Sequence, residues 1–188
     1  MPTLPKLFAL PRPAAVRTHE RRIEEFSDKY RQYFPRVFAY VYGRVQNVQI
    51  AEDLVADVFE KAFARADSLR NEDAFSTWLF TIARNVVTSH GRRRGREIIV
   101  DPEVLYAIAP STASVEAEVM VKEDVAAVMN CLRTFPQREQ DIMALKFDAE
   151  LPNPHIARIM GLSEANVRVI LFRTLRKLRD LLAARPKG

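Results

Sequence analysis

The sequence predicts an all-α protein of two small helical domains joined by a flexible acidic linker. Three observations carry this. Apolar residues recur at three- and four-residue spacing along most of the chain, with only 5 glycines and few alternating runs of strand type. A stretch without any Lys or Arg, residues 97–121, lies between the two periodic parts. In a chain of 188 residues, 48% hydrophobic content is enough for packed cores and 28% charged residues keep the surface hydrated.

The first 19 residues read as a disordered arm. Pro5, Pro11 and Pro13 bracket the run Leu7-Phe8-Ala9-Leu10, which is too short for the apolar core of a signal peptide. The first domain, 20–96, holds three helical blocks. Ile23, Phe26, Tyr30, Phe34, Val37 and Val41 form one amphipathic stripe, and Pro35 inside it predicts a kink or a split. Residues 51–63 carry Leu54, Val55, Val58, Phe59 and Ala62 on one face and acids on the other. Residues 75–86 carry the stripe Phe75, Trp78, Leu79, Ile82 and Val86. A polar loop, 67–73, separates these last two blocks, and Arg92, Arg93, Arg94 and Arg96 close the domain.

The linker, 97–121, bears Glu97, Asp101, Glu103, Glu116 and Glu118 with Pro102, Pro110 and the run Ser111-Thr112-Ala113-Ser114. Its apolar residues lack a steady period, as expected of a tether. The second domain, 122–184, contains the most informative stretch of the chain, and 185–188 form a basic tail. Asn153 is a suitable N-cap with Pro154 at the first helical position. Ile156 and Met160 give that helix an apolar face, and Ala157 leaves room for a second helix to cross closely. Gly161 supplies a left-handed turn, Ser163 caps the next helix, and Val167, Leu171 and Leu178 continue the stripe. This is the helix-turn-helix pattern, whose second helix enters the DNA major groove. An ordinary helical hairpin has the same skeleton, but the charge favours DNA. From Ser163 onward Arg168, Arg173, Arg176, Lys177, Arg179, Arg185 and Lys187 face only Glu164 and Asp180, a surplus equal to the whole chain's +5.

Other chemistries find little support. One cysteine, Cys131, excludes a disulfide framework and lies on an apolar stripe, where it is expected to be buried. His19, His90 and His155 are too far apart for metal-ligand spacing, so neither a metal nor another cofactor is expected. No apolar run reaches the roughly 18 residues of a membrane span, so no membrane insertion and a cytoplasmic location are expected.

Several blocks together carry a resemblance. Glu52-Asp53-Leu54-Val55-Ala56-Asp57-Val58-Phe59, then Phe75 through Trp78-Leu79-Phe80-Thr81-Ile82-Ala83-Arg84-Asn85 and a basic run, resemble region 2 of bacterial sigma-70 family sigma factors. Leu132-Arg133-Thr134-Phe135-Pro136-Gln137-Arg138-Glu139 resembles the start of region 4, and the helix-turn-helix sits where region 4 has one. The short two-domain form is similar to the extracytoplasmic-function (ECF) group. The resemblance covers about 22–96 and 122–182.

What the resemblance implies is a factor that binds core RNA polymerase and directs promoter recognition, melting and initiation. Its partners would be the clamp of the largest polymerase subunit, the flap of the second-largest, and promoter DNA, both duplex and melted. The resemblance also leaves room for an anti-sigma factor. Glu52, Asp53, Leu54, Asp57 and Phe59 would dock on the clamp, an acidic face against a basic partner. Loop 67–73 would capture a base flipped from the melted strand, with Ser68, Asn71 and Asp73 reading its edge. Trp78 is a stacking platform or a core residue, while Arg84, Asn85, Thr88, Arg92 and Arg93 would follow the upstream duplex. Ser163, Asn166, Arg168 and Arg173 would face the major groove, with Arg176 and Lys177 on phosphates. The acidic linker would thread into the polymerase channels.

The chain departs from the family pattern at Ser89-His90-Gly91, where an Asp, an aromatic and a Leu are usual. It departs again at Val169, Ile170 and Phe172 of the recognition helix, where polar or basic residues are common. Two other classes compete with this reading. A stand-alone helix-turn-helix regulator explains the second domain but leaves 51–96 without a purpose. A small helical enzyme lacks any Cys/His, Ser/His or metal-ligand arrangement.

Overall fold

The computed structural model describes residues 14–66, 74–94 and 125–184, with side chains for 21–66, 74–92 and 125–184. Among the described residues there are helices and turns and no strand. In chain order the helices are α1 (Ala14–Val45), α2 (Val48–Ala64), α3 (Phe75–Arg94), α4 (125–133), α5 (Gln137–Phe147), α6 (Asn153–Met160) and α7 (Glu164–Ala183). The chain divides into two compact units, 1–33 and 34–188.

In the first unit α1 begins at Ala14, inside the stretch expected to be an arm. Its surface carries local ion pairs, Arg21 with Glu25 at 2.7 Å and Arg31 with Asp28 at 2.9 Å. Such exposed pairs contribute little to stability.

The second unit starts beside Pro35; of the kink or split expected there the split does not occur, and α1 runs through it to Val45. Proline removes one intrahelical donor, but Val37, Tyr40 and Val41 just beyond it are fully buried, and that packing holds the helical path. Tyr40 meets the Phe80 ring edge-on at 5.8 Å, joining α1 to α3. Phe34 stacks on Phe59 at 6.5 Å, joining it to α2. Gln46 ends α1 with φ 49°, and Asn47 caps α2 by accepting the Ile50 N–H at 3.0 Å. Helix α3 continues through Ser89-His90-Gly91 to Arg94, so the departure from the family pattern there does not end it.

Helices α4 to α7 complete the same unit. Gln140 donates to the Phe135 carbonyl at 2.8 Å, tying α5 to the turn that precedes it. Thr174, almost fully buried, donates to Glu139 at 3.3 Å and fixes α7 on α5. Ile142, Leu145, Leu151, Ile156 and Val167 fill the space between these helices. Cys131 is half-buried rather than buried.

Helices α5 and α6 also pack on α1 and α3. The link is polar as well as apolar. Asp141 on α5 accepts from Arg44 of α1 at 2.9 Å and from Arg84 of α3 at 3.3 Å. Gln137 donates to the same carboxylate at 3.0 Å. Arg36 on α1 donates through Nε to the Ala149 carbonyl at 2.9 Å, in the turn between α5 and α6. That turn needs the grip, because Glu150 holds φ 52°, which a residue with a Cβ adopts only at a cost.

Candidate nucleic-acid interface

The helix-turn-helix is built as the spacing predicts, with one exception. Asn153 is not the cap of α6: Pro152 stands at that position, Asn153 opens the helix, and its side-chain Oδ1 is buried with no hydrogen-bond partner among the described residues. Pro154 moves one place inward and is tolerated because the first-turn N–H groups have no intrahelical partner. At the far end Gly161 adopts φ 65°, and Leu162 N–H returns to the Ala157 carbonyl at 2.9 Å. Ser163 then caps α7 and accepts the Asn166 N–H at 3.2 Å. Ala157 and Val167 are buried where α6 and α7 meet.

This geometry leaves one face of α7 in solvent. Asn166, Arg168, Arg173 and Arg176 lie exposed along it. Arg168 sits 3.8 Å from Glu164 one turn earlier, a loose contact that a base edge or phosphate can replace. Ser163 contributes its side chain to the cap as well as to the surface. Lys177 is exposed, but its ammonium lies 4.7 Å from the Phe135 ring centre, so a phosphate contact there competes with a cation–π contact. Phe172 is 68% exposed and Val169 stands beside it in solvent, whereas Ile170 is half-buried. The apolar departures on this helix are therefore mostly on its free surface.

The first-domain residues divide differently. Asn85, Thr88 and Arg92 are exposed on the outer face of α3. Arg84 instead turns inward to Asp141, which the sequence did not suggest. Trp78 is half-buried, with its ring 5.7 Å from Phe75, itself buried. Ser76 lies 3.2 Å from His155 Nδ1 on α6. Burial first, and then the Arg158 charge, lower the His155 pKa, so the ring is neutral near pH 7. The loop residues Ser68, Asn71 and Asp73 lie outside the described residues, as does the Arg93 side chain and the linker 97–121.

On α2, Glu52 and Asp53 are exposed, and Leu54 and Asp57 are half-exposed. Asp57 pairs with Lys61 one turn on. Phe59 is only 5% exposed and stacks on Phe34, so it supports the acidic face from beneath. The cluster around Asp141, the grip of Arg36 and the half-buried Asp148 had no reading in the sequence. The available signal was a charged residue breaking an apolar stripe, as Arg44 does after Val37 and Val41.

Comparison with known proteins falls on the same two parts. Residues 30–97 match the family described as Sigma-70 region 2, and residues 131–180 match Sigma-70, region 4. The chain is 29% identical over 160 residues to the ECF RNA polymerase sigma factor BldN of Streptomyces coelicolor, covering 85% of this chain and 61% of that one. It is 30% identical over 129 residues to the ECF RNA polymerase sigma-E factor of Haemophilus influenzae, covering 64% of this chain and 68% of that one. The fold resembles that of the sigma factor RpoE in complex with the anti-sigma factor NepR from Bartonella quintana, with a TM-score of 0.67 at 23% identity over 87% of this chain and 99% of that one. Among the described residues no helix is long and apolar enough to cross a membrane.

Proposed function

The chain belongs to the sigma-70 family of RNA polymerase sigma factors, in its ECF group, and we propose that it binds core RNA polymerase and directs promoter recognition, melting and initiation. It works in the cytoplasm, where polymerase and DNA meet. Catalysis belongs to the polymerase; this chain supplies recognition. The observation that carries the reading is the pairing, in one chain, of a capped helix-turn-helix with an exposed polar face and, far from it in sequence, a helix with an exposed acidic face. A DNA-binding regulator needs only the first of these.

Each surface has a physical task in this scheme. Glu52, Asp53 and Asp57 around Leu54 present negative charge to the clamp and steer association. Asn85, Thr88, Arg92 and Arg93 track the upstream duplex, and Ser68, Asn71 and Asp73 read the flipped base, whose extraction costs unstacking energy. Arg84 joins that surface only after leaving Asp141. The face of α7 reads the upstream promoter element: Asn166, Arg168 and Arg173 reach base edges, and Arg176 and Lys177 hold phosphates. The acidic linker lies in the polymerase channels, where its charge suits space later taken by RNA. An anti-sigma factor is a further partner, consistent with the complex named for the Bartonella quintana relative.

Run-off transcription with purified core polymerase on genomic fragments tests this. A sigma factor yields discrete promoter-dependent transcripts and binds duplex DNA specifically only with core present. A stand-alone regulator binds its duplex site alone and starts no transcript.

A further inference from the structure

A cavity of about 420 Å³ opens between the end of α1 and helices α4, α5 and α7. Its walls are apolar: Val128, Met129, Leu132, Met143 and Leu178, with Phe147 and Leu175 at an exposed rim. Its α1 end is polar, formed by Gly43, Arg44, Gln46 and Asp148. Gln46 is 6% exposed, and among the described residues nothing donates to its side-chain Oε1. Arg44 Nε is likewise buried with no acceptor among those residues. A buried carbonyl without a donor and a buried N–H without an acceptor each forfeit a hydrogen bond made in water. Size, apolar walls and a few converging polar groups are the attributes of a small-molecule site.

We propose that this cavity binds a small amphiphile, an aliphatic alcohol in chemical class, with its chain along α4 and α5 and its hydroxyl at Gln46 and Arg44. A hydroxyl both donates and accepts, so it offers what each of the two lacks, a donor for Gln46 Oε1 and an acceptor for Arg44 Nε. An ionic head answers only one of the two: a carboxylate accepts from Arg44 Nε but has no proton for Gln46 Oε1, and an ammonium donates to Gln46 Oε1 but accepts nothing from Arg44 Nε. A bound alcohol would touch both α1 and α4, α5 and α7, and so favour their packed arrangement. That consequence for polymerase rests on the sigma-factor reading; the binding itself does not.

The test is a titration of the full ¹⁵N-labelled chain with octan-1-ol, octanoate and octylamine, followed by amide shifts. The alcohol should saturate one site, with shifts confined to Gln46, Leu132, Met143 and their neighbours. It should bind roughly tenfold more tightly than either ionic analogue. Gln46→Leu should weaken alcohol binding roughly fivefold or more, and Phe147→Ser, at a rim position 53% exposed where folding is safe, should weaken it as well. Unsaturable shifts spread over Phe172 and Val169, equal affinity for the three heads, or wild-type binding by Phe147→Ser would each overturn the proposal. Run-off activity of the same preparation shows separately whether the sigma-factor reading stands.

Discussion

Arg44 donates to Asp141 across 2.9 Å with both side chains nearly out of solvent, at 11% and 7% exposure. Arg84 and Gln137 occupy the rest of the carboxylate, so the acid is shared by α1, α3 and its own helix. Two charges withdrawn from water gain stability only when such partners are complete. This makes the cluster a hub between the helices of the first domain and those of the second.

Removing Asp141 should therefore cost more than an ordinary surface pair. Asp141→Ala takes from the buried Arg44 its partner at 2.9 Å and leaves only the desolvated Asp148 carboxyl near it, and loss of one member of a buried pair costs roughly 3–5 kcal/mol. Arg84, 32% exposed, can turn to water, so the lower end of that range is expected. Chemical denaturation of the full chain measures it. A loss under about 1 kcal/mol, the size of a surface pair, would mean that the cluster does not hold the helices together.

Asp148 gives a second, pH-dependent test. A Cβ at Gly43 would lie 2.8 Å from its Oδ2, so the carboxyl sits hard against α1 and is partly cut off from water. Its pKa rises from the usual 3.8 to about 7, with desolvation outweighing the Arg44 charge. Below 3.8 folded and unfolded chains both hold the proton, and the group is neutral to stability. Between 3.8 and about 7 only the folded chain holds it, so stability falls as pH rises and levels off above. Asp148→Asn should thus be closest to wild type near pH 4 and gain on it up to about pH 7. Arg44, Tyr40 and Arg133 lie around the group, and the variant leaves them in place. Parallel denaturation curves with a gap that does not vary with pH would refute the assignment.

Gly161→Ala probes the turn of the helix-turn-helix. The added Cβ meets nothing within 4 Å, so any cost comes from the backbone at φ 65°. That cost is roughly 1–2 kcal/mol for an L-residue in the left-handed region. The melting temperature should drop accordingly, and an unchanged one would show that the turn relaxes freely.

The parts legible in the sequence were those with local causes. Gly161, Ser163 and the stripe of Val167, Leu171 and Leu178 specify their turn and helix without help from elsewhere. The acidic face of α2 is legible for the same reason, since period alone separates it from Val55 and Val58. Asp141 was not legible, because its partners are distant in sequence and a single acid on a short helix looks like solvent-facing charge. The DNA role expected of Arg84 rests on the family resemblance, and its place one turn before the exposed Thr88 agrees with it; the pair with Asp141 depends on an acid 57 residues away, which no local pattern reveals. The cap of α6 failed on a finer point: Asn153 has the side chain of a cap, yet it opens the helix, and Pro152, which has no side-chain acceptor, stands at the cap position.

The acidic face of α2 should carry polymerase binding. Asp53→Lys with Asp57→Lys reverses its charge at exposed and half-exposed positions, where helix packing is not touched. Helicity should stay at the wild-type level while co-purification with core polymerase is lost. Undiminished co-purification would take this face out of the docking role.

The recognition helix should divide its work between base edges and backbone. Arg168 follows the Ser163 cap by about one turn and is held only by a loose contact with Glu164. Arg176 lies about two turns further on, where a helix crossing the groove meets phosphate. Losing a base contact costs roughly 1–3 kcal/mol and relaxes preference at one position, whereas losing a phosphate contact weakens all sequences alike and flattens the salt dependence. Arg168→Ala should therefore change the preferred upstream element, and Arg176→Ala should lower affinity uniformly with a smaller salt slope. Lys177 is the poorer probe of backbone contact, because its place over the Phe135 ring mixes stability with binding. Both arginine variants are measured in the holoenzyme, against a randomised upstream element at two salt concentrations. Equal, sequence-independent losses would assign Arg168 to the backbone and leave the reading to Asn166, Arg173 or the exposed Val169 and Phe172 surface. Phe172→Ala separates those options: a lost preference for thymine marks a contact with its methyl group, and an unchanged preference leaves Asn166 and Arg173.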